Sequence, residues 1–243
     1  MHHEVDVCGG AYQVINPGFS NTIARVAPGV FTVEDLLTDD ECDALVRKAQ
    51  QPGVMQPSRT GGGMRPDRRH SFQARCRYEE TPHIQARLGH LMGVQVSHLE
   101  ALKLIHYPPG GFFKLHHDAF AQSFDPVTGV SDWPCVAGGM YPNRIMTCIV
   151  YLNDVVGGAG RTIFDDLGVS VQPKKGRAVV FAPAYLPTSK HRPGQRRDCM
   201  AHRGEVCAGD KYIATQWAWG CPYDAGQDPK SGLGPTRLSG ETV

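Results

Sequence analysis

Apolar residues recur at helical spacing in two segments of the first hundred residues. The first segment follows Thr38–Glu41, a capping box in which the threonine hydroxyl and the glutamate carboxylate accept hydrogen bonds from backbone amides. The second begins at Thr81-Pro82, because proline is favoured at the first helical position, and ends at Gly93. The pattern predicts helices over residues 39–50 and 82–92.

Short runs rich in β-branched and aromatic residues follow between residues 100 and 220, separated by glycine, proline and aspartate. The predicted strands are 102–107, 144–152, 161–164, 177–182 and 211–219. Strands and helices do not alternate along this segment. The order therefore predicts a mainly β, α+β fold in which N-terminal helices support a β-sandwich or barrel.

The 243 residues are enough for one large β domain. We predict an N-terminal lead-in over 1–29 and a single domain over 30–221. Within this domain, 30–99 would form the helical support and 100–221 the β-core. Glycine, proline and polar residues dominate 222–243, which predicts a mobile C-terminal tail.

A glycine- and arginine-rich segment, 51–71, has the composition of a long loop. Loops of this length in compact domains often act as lids over a site. A solvated basic loop without a role explains the same composition equally well. The role of this segment therefore stays open.

Charge and hydropathy narrow the classes of partner. Lys plus Arg number 25 against 24 Asp plus Glu, so no overall basic field favours nucleic acid or an anionic membrane. No apolar run approaches the ~18 residues of a membrane span. The first residues lack the basic start and apolar stretch of a signal peptide. We expect a cytoplasmic protein, or a secretory-pathway protein if the chain is truncated.

The eight cysteines include no C-x-x-C pair, which excludes a zinc ribbon or a thioredoxin-type motif. In a reducing compartment they are expected to be free thiols. Cys42 and Cys148 lie among apolar residues at helical and strand positions, which predicts buried, unreactive side chains.

A histidine and an aspartate two positions apart, His116 and Asp118, would project from the same face of a strand and could bind one metal ion. A third ligand could be His191 or His202. His202 is favoured because a short turn separates it from the β-run 211–217, which predicts a hairpin. Two histidines and one carboxylate suit non-haem Fe(II), with coordination positions left open.

On the predicted strand that follows, Lys211, Ile213, Thr215 and Trp217 share one face. A lysine inside a β-core requires an anionic partner. A zinc hydrolase could use the same three metal ligands, but it would leave Lys211 unexplained.

Several ordered segments together resemble one family. They are 104–118, 144–154, 160–164, 173–181 and 202–217. Over roughly residues 30–220 the chain resembles the prolyl 4-hydroxylase branch of the 2-oxoglutarate- and Fe(II)-dependent dioxygenases. The resemblance implies a double-stranded β-helix, or jelly-roll, buttressed by the N-terminal helices.

The resemblance also implies roles for individual residues. The implied iron ligands are His116, Asp118 and His202. The residues implied to bind 2-oxoglutarate are Lys211, which would pair with its far carboxylate, and Tyr107, Tyr151 and Thr162. Arg144 and Trp217 occupy positions that resemble substrate-contacting residues. For both tyrosines and Trp217 the alternative is ordinary core packing, and for Arg144 it is a solvated strand end.

The implied activity is hydroxylation of an unactivated C–H bond, most of all in peptidyl proline, with O₂ as cosubstrate. Succinate and CO₂ would be released, and ascorbate would serve as a bound reductant. Hydroxylation of another residue or of a free small molecule is an alternative, as is a non-catalytic β-helix that binds peptides. A proline-containing peptide or protein is the expected partner, and the oligomeric state stays open.

Two departures from the family pattern concern the substrate. Arg161, in Ala159-Gly160-Arg161-Thr162, stands where the family commonly has an acid, which leaves substrate preference open. The loop 119–143 has the length of an insertion and is expected to fold over the mouth of the barrel.

Overall fold

The computed structural model describes residues 4–5, 11–12, 21–60, 63–121, 143–186 and 194–223. Most of the loop 119–143 and nearly all of the tail 222–243 lie outside these residues, so the expectations for both stay predictions.

Both helices form where the sequence predicts them. Helix α1 is Asp39–Ala49 and helix α2 is Pro82–Met92. The capping box is present, with Thr38 as N-cap and the side chains of Thr38 and Glu41 each accepting a backbone N–H. Gly93 ends α2 at φ 67°, a left-handed conformation that glycine adopts at little cost. The described part of the chain also contains five short 3₁₀ helices, at Tyr78–Glu80, Val96–His98, Val156–Gly158, Asp165–Leu167 and Asp198–Met200.

The described residues contain fifteen strands, all paired antiparallel. They are β1 Glu4–Val5, β2 Ala11–Tyr12, β3 Ile23–Ala27, β4 Val30–Val33, β5 Gln56–Pro57, β6 Arg69–His70, β7 Phe72–Cys76, β8 Leu102–Tyr107, β9 Phe112–His116, β10 Arg144–Tyr151, β11 Thr162–Phe164, β12 Val169–Val171, β13 Ala178–Phe181, β14 His202–Gly204 and β15 Lys211–Trp219. A large sheet has the order β3-β4-β13-β10-β15-β8-β7-β5, and a small sheet has the order β12-β11-β14-β9-β6. Strands β1 and β2 form a separate pair.

Every strand predicted between residues 100 and 220 is present, within one residue at each end. The predicted hairpin between His202 and the strand that begins at Lys211 is wrong. Strand β14 pairs with β9 and β11 in the small sheet, whereas β15 pairs with β8 and β10 in the large one. Because both edges of β14 and of β15 are already paired, the two strands cannot pair with each other. Residues 205–210 instead cross from one sheet to the other.

The segment 51–71 is more ordered than a long loop. It contributes β5 to the large sheet, and β6 pairs with β9 in the small sheet. Residues 30–99, expected to be mainly helical, also supply β4 and β7, which extend the large sheet on both sides. These strands are too short for residue alternation to reveal them, and the neighbouring strands stabilise them.

The central strands of the large sheet, β13, β10 and β15, are buried on both faces because two layers cover them. One apolar cluster contains side chains of α1, α2 and one face of the sheet, including Leu45, Leu88 and Val150. A second cluster lies on the other face. It includes Ile105 and Ile149 of the large sheet and Phe164 of the small sheet. Two facing antiparallel sheets with helices outside confirm the mainly β jelly-roll architecture. The space between the sheets is where the candidate site lies.

Among the described residues, four cysteines are free and buried: Cys42, Cys76, Cys148 and Cys207. Cys199 and Cys221 are disulfide-bonded, so the expectation of free thiols is wrong for these two. Cys199 lies in a 3₁₀ helix and Cys221 just after β15, where the spacing of residues along the chain does not predict which cysteines pair. Among the described residues, no helix is long and apolar enough to cross a membrane.

Candidate metal centre and cosubstrate pocket

Two histidines and one carboxylate converge between the sheets. His116 is the last residue of β9 and His202 the first of β14, and the two are paired in register. Asp118 lies just beyond the end of β9. The Nε2 atoms of His116 and His202 are each 3.8 Å from a carboxylate oxygen of Asp118. One ligand atom from each of the three residues lies within 4.8 Å of the others, so a single metal ion could bind all three.

Neighbouring groups orient each of these ligands. Nδ1 of His116 lies 2.9 Å from the carbonyl of Lys114, and Nδ1 of His202 lies 3.2 Å from that of Met200. With Nδ1–H donating to a carbonyl, Nε2 presents its lone pair to the centre. Thr147 on β10 donates its hydroxyl to Oδ2 of Asp118 at 2.8 Å. These contacts fix the ring orientations and the carboxylate before any metal binds.

The electrostatics match a cation site. Burial lowers the pKa of His116, and the neighbouring His202 lowers it further. Burial alone would raise the pKa of Asp118, but the adjacent imidazoles of His202 and His116 hold it below its usual range. Neutral imidazole and ionised carboxylate are the forms that bind a metal ion.

Unsatisfied donors in the same cavity fit an oxygen-rich ligand beside the metal ligands. Thr215 Oγ1 and Arg69 Nη2 are buried without a hydrogen-bond partner among the described residues, and both residues line the cavity. Buried donors are nearly always paired, so an acceptor from outside the chain would satisfy them. The donor set of two imidazoles and one carboxylate is typical of non-haem Fe(II).

Lys211 lies in the same cavity and is 2% exposed. It is the first residue of β15 and is paired in register with Tyr107 on β8. Its Nζ is 5.3 Å from the ring centre of Tyr107 and 5.4 Å from that of Tyr151, and it donates to the Gly160 carbonyl at 2.6 Å. No described carboxylate lies within ion-pair distance of this amine.

Burial lowers the pKa of Lys211 to about 8, against the opposing effects of Cys207 and Glu205. Burial also raises the pKa of Tyr107 and of Tyr151, so both phenols keep their protons. The Tyr151 hydroxyl donates to Thr162 Oγ1 at 2.8 Å. A buried amine flanked by neutral hydroxyls is an environment that a carboxylate ligand would complete.

The two candidate substrate residues lie side by side. Arg144 opens β10 and makes two hydrogen bonds to the carboxylate of Glu100, with Nε at 2.5 Å and Nη2 at 3.1 Å. Its guanidinium carbon is 4.1 Å from the ring centre of Trp217, which lines the cavity. The alternative of a solvated strand end is therefore wrong for Arg144. A direct contact between Arg144 or Trp217 and a substrate stays a prediction.

Sequence reasoning missed two cations of this cavity region, Arg69 and Lys103. Arg69 belongs to β6, is 8% exposed, and bonds Ser71 Oγ at 2.7 Å. Its burial could not be predicted, because the composition of segment 51–71 indicates a loop. Lys103 was assigned to its strand, but only the strand order shows that it faces the cavity side, in register with Thr215.

Comparisons with known proteins agree with this geometry. Residues 102–219 match the 2OG-Fe(II) oxygenase superfamily. Prolyl 4-hydroxylase 1 of Arabidopsis thaliana is 30% identical over 213 residues, which cover 79% of this chain and 69% of the plant protein. Prolyl 4-hydroxylase subunit alpha-1 of Bos taurus is 31% identical over 134 residues, 55% of this chain. The matched part is only 22% of the bovine subunit.

Two solved structures share the fold. The viral collagen prolyl hydroxylase of Paramecium Bursaria Chlorella virus-1, solved as a 2OG complex, has a TM-score of 0.59 and 24% identity, covering 79% of this chain and 96% of the viral one. The prolyl hydroxylase of Trichoplax adhaerens, in complex with a hypoxia inducible factor peptide fragment, has a TM-score of 0.51 and 15% identity, covering 79% of this chain and 84% of its own.

The superfamily match spans β8 to β15 and so contains the three candidate metal ligands, Lys211 and both tyrosines. The similarity to the plant relative extends beyond this region. The chain therefore belongs to the 2-oxoglutarate- and Fe(II)-dependent oxygenase superfamily, in its prolyl 4-hydroxylase branch.

Proposed function

We propose that this dioxygenase hydroxylates proline residues in a peptide or protein, as a prolyl 4-hydroxylase does. The observation that carries the proposal is the convergence of His116, Asp118 and His202 in a cavity that also holds the uncompensated amine of Lys211. The similarity to prolyl 4-hydroxylases supports proline as the target.

The chain's residues would hold two molecules. His116, Asp118 and His202 would bind Fe(II), and Lys211 would pair with the far carboxylate of 2-oxoglutarate. Bound iron supplies the oxidation chemistry, in which O₂ and 2-oxoglutarate yield succinate and CO₂ while one oxygen atom enters a substrate C–H bond.

The remaining residues orient the cosubstrate and exclude water. The rings of Tyr107 and Tyr151 lie near the Lys211 amine, and Thr162 is hydrogen-bonded to Tyr151; the hydroxyls of these residues would bond the cosubstrate carboxylate. Thr147 holds the Asp118 carboxylate in place. Apolar side chains such as Ile149 and Ile213 line the cavity between them and keep its dielectric low.

The surroundings of the cavity also bear on which class of substrate binds. Proline in a peptide is favoured over a free small molecule because Trp217 and the Arg144–Glu100 pair lie at one side of the cavity, where a chain could pack. Ascorbate is proposed as the reductant that returns oxidised iron to Fe(II). Neither nucleic acid nor membrane is part of the proposal.

The cellular location is also a proposal. Cytoplasmic residence stays a prediction from the sequence, whereas the disulfide bonds of Cys199 and Cys221 favour an oxidising compartment. We propose the oxidising compartment. Alkylation of the native protein without reductant, followed by peptide mass mapping, should leave Cys199 and Cys221 unlabelled, and labelling of both would overturn the proposal.

The activity is tested with Fe(II), 2-oxoglutarate, O₂, ascorbate and proline-rich peptides. We expect succinate together with a mass gain of one oxygen atom on proline, and loss of both in His116→Ala and Asp118→Ala. His83→Ala, which changes an exposed histidine on α2, is the matched control and should retain activity.

Other outcomes separate the alternatives. Oxygen transfer only to free metabolites would reject the peptide substrate and keep the oxygenase. Peptide binding without succinate formation would indicate a non-catalytic module. Activity that persists without O₂ and requires zinc would indicate a hydrolase.

A further inference from the structure

Two like charges lie opposite each other on the cavity side of the large sheet. Arg75 on β7 and Lys103 on β8 are directly paired in antiparallel register. On the other side of Lys103, β15 places Thr215 in register. Like charges in this position destabilise a sheet.

Lys103 is half-buried, and its amine contacts the aromatic ring of a residue that lines the cavity. Its Nζ is 4.3 Å from the ring centre of Trp217, the same ring that the Arg144 guanidinium approaches at 4.1 Å. Two cations therefore share one indole. Among the described residues, no carboxylate lies within ion-pair distance of the Lys103 amine, and the Trp217 ring beside this amine lines the cavity.

Among the charged side chains that act on the Lys103 amine, three are cationic and one is acidic. The pKa of Lys103 is lowered to about 7, mainly by burial; Glu100 opposes this shift, whereas Arg144, Arg75 and Arg69 add to it. Glu100 is already engaged, because it binds Arg144 and accepts the indole N–H of Trp219 at 2.8 Å. Among the described residues, no carboxylate besides Glu100 is found to act on the Lys103 amine.

Lys103 lies away from the end of the cavity where Lys211 would bind the cosubstrate. Lys103 pairs with Thr215 on β15, whereas Tyr107 pairs with Lys211 at the start of the same strand. Four residues of strand at ~3.3 Å each place the two lysines about 13 Å apart. A single 2-oxoglutarate anchored at Lys211 and at the metal centre would leave Lys103 for another ligand.

We propose that Lys103 binds a carboxylate of the substrate peptide, so that the enzyme prefers a proline close to an acidic side chain or to a free C-terminus. This inference rests on the proposed prolyl hydroxylase function and specifies its substrate class. The ammonium group and the carboxylate would form a charge-assisted hydrogen bond beside Trp217.

The test compares three short peptides that share one proline. One has aspartate beside the proline and an amidated C-terminus, the second has asparagine and an amide, and the third has asparagine and a free C-terminal carboxylate. We expect kcat/KM of at least one carboxylate peptide to exceed that of the neutral peptide by roughly tenfold, the size of one charge-assisted hydrogen bond. The peptide that shows the preference identifies the source of the carboxylate.

Variants assign the preference to one residue. Lys103→Met should remove it and leave KM for 2-oxoglutarate unchanged, whereas Lys103→Arg should restore it. Arg47→Gln removes one positive charge from an exposed position on α1 and should keep the preference. If Lys103→Met does not fold, the wild type still decides, because added salt should shrink a preference that depends on a partly exposed ion pair.

Failure of this inference and failure of the proposed function give different results. Equal kcat/KM for all three peptides, or a preference that survives in Lys103→Met, would overturn the role of Lys103 and leave prolyl hydroxylation intact. If no peptide were hydroxylated, prolyl hydroxylation would fail. Calorimetric binding of the same peptides to wild type and Lys103→Met would then decide on Lys103 alone, with tighter binding of a carboxylate peptide to the wild type as the expected result.

Discussion

Lys211 is the residue whose surroundings most restrict the identity of the cosubstrate. The residue is 2% exposed, and its amine donates to one backbone carbonyl and lies near two phenol rings, those of Tyr107 and Tyr151. An ammonium group in this position is costly unless a ligand supplies negative charge. The surrounding hydroxyls therefore favour a carboxylate at this end of the cavity.

Replacing this amine should weaken cosubstrate binding. Lys211→Met fills similar volume without charge, and we expect KM for 2-oxoglutarate to rise by roughly 10- to 100-fold, the range of one lost charge-assisted hydrogen bond. Steady-state succinate formation measures this. Lys114→Met, on an exposed position of β9, is the control. An unchanged KM in Lys211→Met would place the carboxylate elsewhere.

The same amine should give cosubstrate capture a pH dependence. The pKa of Lys211 is lowered to about 8 by burial, so the amine loses its charge as pH rises through that value. We expect kcat/KM for 2-oxoglutarate to fall above about pH 8, because this parameter reports the free enzyme. In Lys211→Arg the guanidinium stays charged, and the decline should disappear. A wild-type profile that is flat to about pH 9.5 would contradict the assignment.

At the residue scale the sequence was a good guide to side chains that carry chemistry. His116, Asp118, His202 and Lys211 are all brought to one cavity, as the motif order indicated. Arg69 and Lys103 were missed because a cation in a short or alternating segment has the same pattern whether it faces solvent or a cavity. Only strand pairing decides which face is inside.

Elements position these residues through pairings between distant parts of the chain. Strand β14 has only three residues, yet it brings His202 opposite His116 because β9 and β11 hold it on both sides. Helices α1 and α2 cover the other face of the large sheet and bury its apolar side chains. Local patterns predicted the helices and long strands, whereas the partners of β14 depended on tertiary structure.

The capping box of α1 gives a prediction for stability. Thr38→Ala removes the hydroxyl that accepts the Glu41 amide, and we expect the free energy of unfolding to fall by about 1 kcal/mol. Denaturant unfolding measures the change. Ser170→Ala, at an exposed position of β12, should change it by less than ~0.5 kcal/mol. Equal effects of the two substitutions would mean that the cap does not stabilise the helix.

In the whole molecule, two facing sheets enclose a cavity with a metal-ligand cluster and a buried lysine, and a cationic cluster adjoins its wall. The mainly β architecture followed from the order of patterns along the chain. The path of residues 205–210 between the sheets did not, because a turn sequence is compatible with a hairpin or a crossover. The wrong hairpin nevertheless selected the right histidine, since a crossover of the same length also brings His202 and Lys211 into one cavity.

The central claim is that His116, Asp118 and His202 form one Fe(II) site that 2-oxoglutarate completes. The most direct measurement is anaerobic equilibrium dialysis of the protein with Fe(II), followed by titration with 2-oxoglutarate. We predict one Fe(II) per wild-type chain and cosubstrate binding that requires it, with both lost in Asp118→Ala and His202→Ala. Undiminished Fe(II) and 2-oxoglutarate binding by these two variants would contradict the account.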